Sequence, residues 1–181
     1  MQTDKIFTKL SIKGVRIKVG HEFLDSIVSN IPDTRKNLKV FEMLSAAGSK
    51  DVRSQIAWKD TTSRKIIKNL LNDPNTEVVE RLVRNSNVLK LLKEKEVLKL
   101  IGSHDIEVIK EIASSLSDLE RCDICMIATV LSKHSDPSVR YELARFWRRN
   151  SNGVPRKILK KLAKDRDIDV ANAAKESLQN E

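Results

Sequence analysis

A short pattern recurs along this chain and constrains its fold more than any other feature. The stretch DPSVRYELA from Asp136 is echoed by DPNTEVVERLV from Asp73, DIEVIKEIA from Asp105, DIDVANAAK from Asp167 and, more weakly, KDVRSQIA from Lys50. Aligned on the valine, these stretches place Val52, Val78, Val108, Val139 and Val170 at spacings of 26, 30, 31 and 31 residues. Self-similarity at such a period is the mark of stacked supersecondary units.

The register extends both ways from the valine. Eight residues earlier stand Leu44, Leu70, Leu100, Leu131 and Leu162; eleven earlier stand Phe41, Ile67, Val97, Ala128 and Leu159. Four residues later come Ile56, Leu82, Ile112, Leu143 and Ala174, and eight later, in the last three units, Leu116, Trp147 and Leu178. Each unit thus carries two apolar stripes of helical period separated by a polar step. The step is chemically marked. Asp73-Pro74 and Asp136-Pro137 place a carboxylate at an N-cap and a proline at the first helical position, and Asp105 and Asp167 cap without proline. First helices are expected to start at Thr62 before Ser63, at Asp123 before Ile124, and at Val154-Pro155 after an Asn152-Gly153 stop. A unit is helix, tight turn, helix.

Neither helix can bury its stripe alone, so neighbouring units must share a core. The predicted fold is all-α: a right-handed α-α superhelix of about five helical hairpins between Pro32 and Leu178, irregular at its ends. Residues 32–181 form the repeat domain and residues 1–31 a small irregular N-terminal cap. In the cap, Ile6, Leu10, Ile12, Val15, Ile17 and Val19 partly alternate with polar residues around Lys13-Gly14. A loose strand pair followed by a helix near Glu22 to Ser29 is the favoured reading, a capping helix with an extended piece the other. Either would cover the end of the stack.

With a capping Asp-Pro, Val-Arg, Leu-Ala, then Asn, Pro and Leu-x-x-Leu-Ala-x-Asp, the run DPSVRYELARFWRRNSNGVPRKILKKLAKDRDIDV resembles HEAT-like repeats and the related leucine-rich repeat variant and armadillo-type α-solenoids. The leucine-rich repeat variant unit is shorter, so HEAT-like fits better. The resemblance implies architecture and leaves chemistry open, because such families include scaffolds, bilin-lyase subunits and DNA glycosylases.

The resemblance also implies that the second helix of each unit lines the concave face. With the aligned valine facing inward and about 100° per residue, the second and sixth residues after it point outward, with the ninth beside them. That ladder is Ser54 and Trp58, Glu80 and Arg84, Lys110 and Ser114, Tyr141, Arg145 and Arg148, Asn172 and Glu176. Aromatic and arginine residues on one ridge make a binding-surface composition. The candidate anchors are Tyr141, Arg145 and Arg148, extended by Trp58, Arg84 and Lys110. Trp58 has a competing reading as packing against the N-terminal segment, and Trp147 reads as core.

Composition narrows the function. The chain of 181 residues carries 34 Lys+Arg against 25 Asp+Glu, a net charge of +9. That excess would attract a polyanion, but the third unit, with Glu94, Glu96, Glu107 and Glu111, interrupts any continuous basic track. The cluster Arg156, Lys157, Lys160, Lys161 and Lys164 falls on a first helix, which such a fold turns outward, and reads as a solvated face ahead of a phosphate site. Cys122 and Cys125 form a C-x-x-C without a second pair or a nearby histidine, and are expected to be small buried hydrophobes. His104 and His134 sit in successive turns, about one helix-packing distance of 10 Å apart, too far to share a metal; His21 stands alone. No phosphate loop, nucleophile elbow or H-E-x-x-H occurs, so neither cofactor nor metal is expected. With no leader segment at Met1, no long apolar run and two cysteines, the expectation is a cytoplasmic, monomeric scaffold without enzymatic activity, binding another macromolecule, foremost a protein, through its concave face. The alternative is nucleic-acid binding or DNA glycosylase-type repair; a bilin-lyase-like activity also stays open.

Overall fold

The computed structural model describes residues 7–12, 15–103, 105–146 and 155–179. The chain divides into two compact units, Met1–Asn85 and Ser86–Glu181.

The first unit opens with strands β1 (Phe7–Ile12) and β2 (Val15–Gly20), antiparallel with Leu10 opposite Ile17, followed by helix α1 (His21–Asn30). The strand pair and the helix are therefore as expected; Lys13 and Gly14 lie outside the described residues. Two hairpins follow, α2 (Leu38–Leu44) with α3 (Lys50–Ala57), and α4 (Arg64–Leu70) with α5 (Thr76–Val83). Helix α1 packs along α3 as α3 packs along α5, so α1 stands where the second helix of a preceding repeat would stand. The second unit holds the short α6 (Ser86–Leu89) and three hairpins: α7 (Glu94–Ser103) with α8 (Ile106–Ser114), α9 (Ile124–Leu131) with α10 (Pro137–Phe146), and α11 (Arg156–Leu162) with α12 (Ile168–Gln179). Here α10 packs between α8 and α12. The five hairpins are those of the sequence repeat, and they give the chain a helical-repeat fold of the HEAT/armadillo kind.

All five aligned valines are fully buried, as are Phe41, Ile67, Val97, Ala128 and Leu159. Burying each of these side chains other than Ala128 contributes about 1.5–3 kcal/mol. Leu44 is a correction: it is only half-buried, and Met43 beside it is exposed, because α2 is the first of the first helices and one of its flanks has no neighbour of its kind. The repeat also contains an element that the two-stripe pattern does not announce. In the second and third repeats a third short segment follows the second helix: α6 buries Val88 and Leu89, and a 3₁₀ turn over Leu116–Asp118 precedes buried Leu119. The six residues between α3 and α4 leave no room for it, which explains the spacing of 26.

Neighbouring hairpins are tied by polar contacts that recur in register. Arg53 and Arg140, each directly after its valine, form two-pronged ion pairs with an aspartate five residues before the next valine: Arg53 with Asp73, and Arg140 with Asp165 at 2.8 Å on both prongs. The remaining nitrogen, Nη1, donates to two carbonyls of the arginine's own hairpin turn, Ala47 and Gly48, or His134 and Ser135. Seven residues after the valine, a polar side chain reaches back to the preceding helix: Lys59 to the Ile31 carbonyl, Asn85 to those of Ala57 and Lys59, and Ser177 to that of Ala144.

The caps agree with expectation except in the second hairpin. Asp105, Asp123, Asp136 and Asp167 accept from the first-turn amides of α8, α9, α10 and α12. For α5 the cap is Asn75, accepting from the Glu77 amide, because Asp73 is turned inward to hold Arg53. For α4 it is Ser63 rather than Thr62.

Candidate functional site

In the second unit a groove of about 710 Å³ runs between α10 and α12. It exists because Tyr141 and Arg145 stand one turn apart on α10, while Ala173 on the facing side of α12 is too small to fill the space between the helices. The Arg145 guanidinium lies 5.5 Å from the centroid of the Tyr141 ring, a cation–π arrangement that holds both side chains in place. Arg145 also approaches Glu142 at 3.5 Å. The opposite wall carries Asp167, Asp169, Asn172 and Glu176. Three carboxylates therefore face one guanidinium. Asp167 is partly committed, since its Oδ1 accepts from the amides of Asp169 and Val170. Ser138 and Pro137 close the N-terminal end. There the hydroxyl and amide of Ser138 both donate to Asp136, and with burial working against them they hold that carboxyl below its usual range.

The groove thus brings together Tyr141, Arg145, Asn172 and Glu176 of the predicted ladder. Arg148 lies outside the described residues, as do Trp147 and His104. Lys110 is on α8 in the same unit, but Glu107 engages its ammonium at 2.9 and 3.1 Å and raises its pKa. The other two candidates belong to the first unit. Trp58 caps the C-terminus of α3, the residue 55% exposed and the Arg81 guanidinium 5.5 Å from its ring centroid. Arg84 ends α5, exposed and paired with Glu80. The wall residues Asp169 and Ser138 were missed because the ladder was started two residues after the valine. A helical face that includes that position also includes the one three residues earlier, where Ser138 and Asp169 stand.

The cysteine expectation is corrected. Cys125 is exposed and Cys122 half-buried. Cys125 stands fourteen residues before its valine, and the equivalent residues are Leu38, Arg64, Glu94 and Arg156; three of these four are charged. Burial, aided by Glu94 and Glu96, pushes the Cys122 thiol up to about 11, so it is protonated at neutral pH. His134 accepts the Asp136 amide on Nδ1 at 3.1 Å. Arg156, Lys157, Lys160, Lys161 and Lys164 are all exposed. Among the described residues, no helix is long and apolar enough to cross a membrane, and no three of His, Cys, Asp and Glu gather as metal ligands.

No protein-family model matches the chain, and no curated protein matches it. Among solved structures it is similar to a designed armadillo repeat protein in complex with the peptide (KR)4, at 18% identity over 88% of this chain and 90% of that one, with a TM-score of 0.48. It is also similar to an engineered protein at 18% identity over 86% and 85% of the two chains, with a TM-score of 0.47.

Proposed function

We propose that the chain is a non-enzymatic scaffold, cytoplasmic and monomeric, that holds a segment of another protein on the face formed by its second helices, with the α10–α12 groove as the main contact. The observation that carries this reading is the pairing of a fixed aromatic–guanidinium stack on one wall with carboxylates on the other. Tyr141 offers rigid contact area at little conformational cost, and Arg145 is already ordered by its ring, so a bound segment need not order either. The opposite wall takes donors and cations, and Arg145 takes a carbonyl or carboxylate. A passing peptide backbone with a basic side chain meets all of these demands.

The chemistry of the reactive side chains supports a binding role. The Cys122 thiol is held protonated, and His134 has one ring nitrogen committed to a turn. A nucleic-acid backbone in this groove would set phosphates against three carboxylates, an unfavourable match. The test is selection of peptides from a random display library on the immobilised full chain, followed by anisotropy titration of the selected peptides. Tyr141→Ala is expected to weaken binding about tenfold or more, the loss of a central anchor, and Arg145→Ala to do so less. Selected peptides that bind both variants as tightly as the parent protein would reject the groove.

A further inference from the structure

The exposed side of α11 carries positive charge in a pattern that helix stability opposes. Lys157, Lys160, Lys161 and Lys164 stand at the i, i+3, i+4 and i+7 positions of one helical stripe; the Lys164 amide continues the last turn by donating to the Lys161 carbonyl. Leu159 and Leu162, on the other side, are buried. Three like-charged pairs lie four residues apart, Arg156 with Lys160, Lys157 with Lys161 and Lys160 with Lys164, and each repels along the helix. Arg156 and Lys157 also occupy the first turn, at the positive end of the helix dipole, where cations are disfavoured. The second helices α3, α5, α8 and α12 carry Asp51, Glu77, Glu107 and Asp169 in that turn, whereas α11, like the first helices α2, α4 and α9, has no acidic residue there. The nearby carboxylates are spent elsewhere, Asp165 on Arg140 and Asp167 on the amides that start α12. None of the four lysines has a partner among the described residues.

A stripe that opposes both the dipole and its own neighbours is a place where local stability yields to a binding requirement. From this geometry we infer that α11 docks on the sugar–phosphate backbone of a nucleic acid, a site separate from the peptide groove between α10 and α12. Neighbouring ammonium groups on such a stripe are roughly 5–6 Å apart at their roots, and their flexible stems let each meet a phosphate as a point charge without reading sequence. No exposed apolar side chain shares the stripe, so it lacks the second signal that stable membrane attachment needs. The same choice of residue recurs in other repeats: thirteen residues before the valine, Lys39 and Lys65 in the first unit and Lys95 and Lys157 in the second are all exposed.

The test is fluorescence anisotropy of labelled generic duplex and single-stranded oligonucleotides with the full chain, across about 50 to 200 mM salt. The parent protein is compared with a variant carrying Lys157→Gln, Lys160→Gln, Lys161→Gln and Lys164→Gln, and with one carrying arginine at all four positions. Removing four phosphate contacts should flatten the log K against log salt slope by about 3.6 on duplex or about 2.8 on a single strand. The arginine variant should keep the slope, Tyr141→Ala should leave it unchanged, and circular dichroism should show the glutamine variant still folded. Either nucleic acid giving this result supports the proposal. It is overturned by no oligonucleotide binding at the lowest salt, by a slope that the glutamine variant leaves intact, or by lysine-dependent binding to phosphatidylserine vesicles in the absence of oligonucleotide binding.

Discussion

Arg140 joins three pieces of chain: its own helix, the turn in front of it and the aspartate of the following hairpin. Its side chain and that of Asp165 are 6% and 10% exposed, so losing one partner strands the other in a poorly hydrated site. Arg140→Ala is expected to cost about 3 kcal/mol in urea unfolding, whereas Arg140→Met combined with Asp165→Leu should recover much of that loss. Purely additive losses in the double variant would show that the two side chains do not act as a pair. The pair also fixes an acid response. The hydrogen-bonded Arg140 guanidinium holds the Asp165 carboxyl below its ordinary value of 3.8, outweighing the opposing effect of burial. The unfolded chain therefore takes up a proton before the folded one, so the stabilisation is whole above 3.8 and fades as pH falls through the folded value. The stability gap between the parent protein and Asp165→Asn should narrow on going from neutral pH to below 3.8; a constant gap would deny the coupling.

Among the elements, the short third segment of the second and third repeats looks like linker in the sequence and behaves as core. Leu119 is 1% exposed, and Leu119→Ala is expected to cost about 2–5 kcal/mol, against almost nothing for Met43→Ala at the exposed flank of α2. A thermal shift of similar size for both would contradict that assignment. The cap at Asp123 is a smaller term: Asp123→Ala should cost about 1 kcal/mol and fray the first turn of α9 in hydrogen exchange. These elements also show what was legible in advance. The ten main helices of the five hairpins follow from the periodicity of Val78, Val108, Val139 and their partners, because a buried face repeated in register leaves few alternatives. The third segment was hidden since a single turn has no period to detect. Asp73 was read as a cap because Asp-Pro suits one equally well, and only the position of Arg53 in the folded chain decides between cap and ion pair. Within the groove, Tyr141 and Arg145 were legible from the helical face, while Asp167 came to the wall through the packing of α12 beside α10.

At the scale of the whole molecule, stability should be regional, since each hairpin contacts mainly its neighbours. Arg140→Ala is expected to lower hydrogen-exchange protection in α10, α11 and α12 while leaving α3 and α5 near parent values; equal loss throughout would indicate a single cooperative block. Net charge is equally regional. The overall excess of +9 coexists with an acidic wall on α12 and an unpaired lysine stripe on α11, so the sum describes neither surface. The arginine–aspartate ties link the first hairpin to the second and the fourth to the fifth, whereas Val79 and Ile109 hold the arginine position in the second and third. Each tie needs its donor in one hairpin and its acceptor in the next, and this gives the array a grammar of succession. A duplicated fourth hairpin inserted behind itself would offer an arginine to His134, which stands at the acceptor position in its copy. Such an array could grow by whole coupled pairs, but the fourth hairpin copied alone would leave a charge without its counterpart.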